Sequence, residues 1–250
     1  MLYNDFIKLQ EQVKDILVNY TYFLKKGAQL NFKYTASFKD EILKDFKIRN
    51  ENTMLITAIT MLNDKKKLEE VDNYINDYKK NYSKDLINLN NRIIASTNIL
   101  NNELTLELKE ELENHFVELV KNYYPALRLE ENSEYIKAFE LLQSLYQQNN
   151  YNTYFASYEL FKNLFTEKDY HGVDFDRYAN IYMNLMQQIT TDTVKRKQAY
   201  PYIKEEVFED EISLAREKGD FKARINKLLE ANASIKKDFV EIYGEMVELD

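Results

Sequence analysis

Residues Leu2, Phe6, Leu9, Val13, Ile16, Tyr20 and Phe23 follow one another at spacings of 4, 3, 4, 3, 4 and 3. This is the seven-residue repeat of a helix that holds one apolar stripe against a partner helix. A similar stripe, at spacings of 3, 4, 3, 4, 4, 3 and 4, returns in Leu68, Val71, Ile75, Tyr78, Tyr82, Leu86, Leu89 and Ile93. The strict repeat returns in Phe221, Ile225, Leu228, Asn232, Ile235, Phe239, Ile242 and Met246. Only four Gly and two Pro stand among 250 residues, fewer than sheets and turn-rich folds require. The expected fold is all-α, with long antiparallel coiled-coil or helical-hairpin segments flanking a compact helical unit.

The pattern divides the chain into four parts. Residues 1–33 form an N-terminal helix that Gly27 and the polar stretch near Asn31 are expected to break or bend. Residues 34–98 form a hairpin. Its first helix runs from about Ser37 to Leu62, with Phe38, Ile42, Leu55, Ile59 and Leu62 inward, and Asn63-Asp64 makes the turn. The second is a rod of about 30 residues, or roughly 45 Å. A short turn joins antiparallel neighbours. Thr97 to Asn102 loses the repeat and reads as a linker. Residues 99–168 hold shorter helices. One ends before Pro125, because proline excludes the α conformation from its predecessor, and Ser133 is a candidate cap for the next. Residues 169–250 open with Asp174 as a cap and close with the last rod. Asn232 is that rod's single polar seam residue, and it either fixes register or marks a frayed seam.

The formal charge of -8 disfavours nucleic acid as a partner, since phosphate neutralisation needs a basic face. No stretch approaches the ~20 apolar residues of a membrane span. The start of the sequence lacks a basic region followed by an apolar run. With no cysteine present, these features fit a cytoplasmic protein. Asp169, His171, Asp174 and Asp176 surround Gly172 and form the one local cluster with metal-ligand character. Helix capping by Asp174 is the stronger reading of it. His115 stands one turn before Glu118, where a helix-surface hydrogen bond is commoner than acid–base work. Four scattered glycines build no phosphate or dinucleotide loop. No cofactor, metal or catalytic group is therefore expected.

The order of an amphipathic helix, Tyr124-Pro125-Ala126-Leu127, a loop and a second amphipathic helix resembles helices two and three of a J-domain. Tyr200-Pro201-Tyr202, the acidic run Glu205 to Glu211 and a final coil extend the likeness. Together they resemble small coiled-coil proteins of low-GC Gram-positive bacteria that carry a degenerate J-like unit. That family's loop bears His-Pro-Asp; at the corresponding positions this chain has Tyr124, Pro125 and Ala126. The basic second helix is also missing, since Glu118 accompanies a single Lys121. The resemblance implies a retained scaffold without stimulation of a chaperone ATPase.

The expectation for function is a non-catalytic interaction or scaffold protein. Its heptad helices would pair with a second copy or with a partner protein, a chaperone among them. A degenerate co-chaperone or client-binding module is the alternative.

Overall fold

The computed structural model describes residues 2–101, 104–166, 174–247 and 249. Among them the chain is helical throughout and has no strand. The helices are α1 (Tyr3–Ser37), α2 (Lys39–Asn63), α3 (Leu68–Asn101), α4 (Leu106–Tyr123), α5 (Pro125–Arg128), α6 (Ser133–Gln147), α7 (Tyr151–Phe161), α8 (Phe175–Lys197) and α9 (Glu211–Tyr243). Short 3₁₀ turns cover Lys162–Leu164 and Tyr202–Phe208.

These elements group into two compact units, one of residues 1–32 with 99–205, the other of residues 33–98 with 206–250. The four-part division read from the sequence is therefore regrouped. The N-terminal helix belongs largely with the central short helices, and the last rod belongs with the hairpin.

In the first unit, the α1 seam packs onto the short helices. Phe6, Val13 and Leu17 are fully buried in one cluster with Leu112, Phe116, Leu119, Val120, Phe139, Leu142, Tyr146, Tyr154 and Tyr182. Gln10 and Thr21 are buried on the same face, while Leu2 is exposed. The inward face is thus wider than the strict heptad stripe, as for a helix meeting several neighbours.

Gly27 does not break α1, which continues to Ser37. Its missing side chain makes room for Tyr202, whose Cζ would lie 2.6 Å from a Cβ at that position. Tyr202 stacks on Phe23 at 4.2 Å and donates a hydrogen bond to the Phe23 carbonyl at 2.8 Å.

In the second unit, α2 runs between α3 and α9. Phe46 stacks on Tyr82, and the Tyr78 hydroxyl donates to Asn50, so rising numbers on α2 meet falling numbers on α3. The antiparallel hairpin is present. The backbone of α2 lies closest to α9, however, and Met54, Leu55, Ala58, Val71, Ile75 and Phe239 form one fully or nearly fully buried cluster. Thr97 to Asn101 are not a linker; they complete α3, and Ser96 just before them is buried.

Candidate interaction site

The α3 and α9 seams are largely occupied within the chain. Val71, Ile75, Tyr82 and Ile93 are buried, as are Phe221, Ile225, Asn232 and Phe239, while Tyr78, Leu86, Leu89, Leu228 and Ile235 are half-buried. Three expected seam residues lie outside: Leu68 is exposed at the first position of α3, Ile242 is exposed in the last turn of α9, and Met246 is exposed beyond the end of that helix. A helix of 3.6 residues per turn drifts against a strict seven-residue repeat. By the end of α9 the inward position has passed to Tyr243, which stacks on Phe239 and donates its hydroxyl to Asp72.

Asn232 lies inside a packed seam and not at a frayed one. It is 6 % exposed, and its amide donates to Asn52 Oδ1 at 2.7 Å and Glu51 Oε2 at 2.9 Å. Lys236 closes the layer on Glu51 at 2.8 Å.

Beyond the occupied seam, α3 carries a second stripe on its outer side. Lys84, Ile87, Asn91, Ile94 and Asn98 follow at spacings of 3, 4, 3 and 4, and all are exposed. Ile87 and Ile94 leave 59 % and 57 % of their surface to solvent. With only two apolar residues, the stripe carries too weak a periodic signal to stand out in the sequence.

The Tyr124-Pro125-Ala126 segment forms a packed corner. Tyr124 is extended (ψ 126°), ends α4 and precedes the one-turn helix α5, with Pro125 at its first position, where a missing N–H is tolerated. The Tyr124 ring meets Phe139 edge-on at 5.2 Å, and burial raises its hydroxyl pKa. Two more tyrosines hold the corner from outside. Tyr135 donates to the Tyr123 carbonyl at 2.6 Å and Tyr182 to the Leu127 carbonyl at 2.7 Å. Helix α6 is capped by Asn132, one residue before the expected Ser133, through bonds to the amides of Glu134 and Tyr135.

Asp174 caps α8, accepting from the amides of Asp176 and Arg177 at 3.1 Å. Asp169 and His171 lie outside the described residues, and among those described no cluster of three or more His or carboxylate groups has the arrangement of a metal site. His115 turns away from Glu118. Its Nδ1 shares a hydrogen bond with the Tyr154 hydroxyl at 2.8 Å, and Tyr154, Phe155 and Tyr158 meet its ring edge-on. Burial lowers its pKa, partly offset by the charge of Glu111.

The first unit also holds a recess that no local sequence pattern signals. One face of α1 (Leu24, Gly27, Ala28, Asn31) and one face of α6 (Glu140, Gln143, Ser144, Gln147) line an open recess of about 470 Å³ with Arg196, Pro201 and Tyr202. Arg196 is held from behind. Tyr20 donates to Asp192 Oδ2 at 2.6 Å, and the same carboxylate oxygen binds Arg196 Nε. Burial and that carboxylate raise the Tyr20 pKa to about 12, and the two donors lower that of Asp192.

Comparison with family models, curated proteins and solved structures finds no match to this chain. No helix among the described residues is long and apolar enough to cross a membrane.

Proposed function

We propose that this protein is a non-catalytic helical interaction protein that works through the outer side of α3. The supporting observation is the exposed Ile87–Asn91–Ile94 stripe, set at helical spacing on a helix whose inner seam is already occupied. The stripe matches the mode in which two amphipathic helices pair through residues three and four apart. The inner seams are not available for this, because their residues pack within the second unit. Self-association is the simplest use, since a twofold pairing buries the same residues twice. Sedimentation velocity over a concentration series tests it. A concentration-dependent dimer lost in the Ile87→Glu, Ile94→Glu double variant supports the reading, and a monomer at all concentrations refutes the homodimer.

A degenerate co-chaperone or client-binding module is the second reading. It draws on the α4–corner–α6 arrangement, in which Phe116 meets Phe139 and Tyr146 across the pair. The corner is apolar and packed where a partner-stimulating loop would be polar and open. An ATPase assay with a cognate chaperone is expected to show no stimulation by the native chain.

A further inference from the structure

We infer that the recess between α1 and α6 is a binding site for a small zwitterion, a free amino acid or a short peptide carrying both an ammonium and a carboxylate. The Arg196 guanidinium spends its Nε on Asp192, and no other partner for it stands among the described residues. Its two terminal nitrogens are therefore open to a carboxylate, in the forked geometry that guanidinium favours. The Tyr20–Asp192 bond fixes the carboxylate that fixes the arginine, so the donor is oriented before any ligand arrives.

Ser144 is taken by Gln148 and the Tyr202 hydroxyl by the Phe23 carbonyl, but the other polar groups of the lining keep free capacity. Glu140 has no cationic partner among the described residues, and Gln143 and Gln147 make no side-chain hydrogen bond there. Asn31 accepts from the Tyr200 hydroxyl at 2.8 Å through Oδ1, which leaves its amide nitrogen as a donor. The recess thus offers one anion-binding group, one cation-binding group and three amides that pair with either face of a peptide group. A ligand of single charge would leave Glu140 or Arg196 unused, and an apolar one would strand the amides without partners. Tyr202, seated over Gly27, stands as one wall of the recess. A volume of about 470 Å³ falls in the range of small-ligand sites.

Isothermal titration of the full chain with triglycine and with glutamine tests the inference and separates the peptide from the amino acid. Saturable binding of one of them is expected, weakened at least tenfold by N-acetylation, by C-terminal amidation and by the Glu140→Gln variant. Gln147→Leu, also on the partly exposed α6 face, is expected to weaken it without moving the far-ultraviolet spectrum. Absence of saturable binding for both probes at millimolar concentration overturns the proposal. So does binding that ignores the blocked termini and both variants. Neither result bears on the α3 stripe, which the sedimentation experiment reads separately.

Discussion

The two units reach the same fold class by different chemistry. The first gathers short helices around rings: Phe116 alone meets Phe139, Tyr146 and Tyr154 within 6.1 Å, and all four are buried. The second lines up three long helices on aliphatic and aromatic seam residues and interrupts them with a polar layer, Asn52, Asn232, Glu51 and Lys236. Rings interlock in many directions and need no special residue to define how the helices sit. Parallel rods can slide by a heptad, and a buried amide pair penalises every alignment but one.

The sharpest test of this contrast is Phe116→Ala. Removing a fully buried ring at the meeting point of three others is expected to cost about 3–5 kcal/mol in urea unfolding. A loss no larger than that of an exposed residue would show that the first unit does not depend on its rings.

Asn232→Leu comes next. It strands the Asn52 carbonyl oxygen and one bond to Glu51, for an expected cost of about 1–3 kcal/mol. Adding Asn52→Leu should recover part of that loss while loosening alignment. This would appear as broadened amide resonances in α2 and α9. Full stability with sharp resonances in the double variant would deny the polar layer its aligning role.

Gly27→Ala forces Tyr202 away from Phe23, with an expected cost of about 1–3 kcal/mol from overpacking. In Gly27→Ala with Tyr202→Phe, the Phe23 carbonyl bond is absent already, so the further cost of the methyl should shrink. An alanine that raised stability, as in an open helix, would contradict the close approach.

The smallest effect concerns pH. Burial depresses the His115 pKa, so folding favours its neutral form. The stability this contributes is present above the ordinary histidine value near about 6.5 and is lost as pH falls through the folded value. Replacing His115 with Phe should flatten the acid limb of a melting-temperature profile. An unchanged slope would assign that limb to carboxylates.

The helical class and most helix limits were legible because heptad spacing and the two prolines are local signals. Tyr124 as a boundary and Asp174 as a cap follow from the physics of single residues, and the structure has both. What escaped was pairing. The α1 stripe reads as a coil for a distant partner, yet it lies against α8, where Phe6 stacks near Tyr182. Gly27 carries the sequence signature of a breaker, and only the position of Tyr202, 175 residues later, explains it. The recess was illegible for the same reason. Asn31, Gln143 and Arg196 are unremarkable surface residues until three helices bring them together.

The tyrosine ties have a spectroscopic consequence. The chain has twenty Tyr and no Trp, so its intrinsic ultraviolet emission comes from phenols alone. Several of those phenols donate to carboxylates on remote helices, Tyr20 to Asp192, Tyr34 to Glu217 and Tyr151 to Glu111. Such contacts dim phenol emission, and each breaks when its two helices part. The folded protein should therefore glow weakly and brighten as it comes apart. Tyr20 reports on the first unit and Tyr34 on the second, with no label attached.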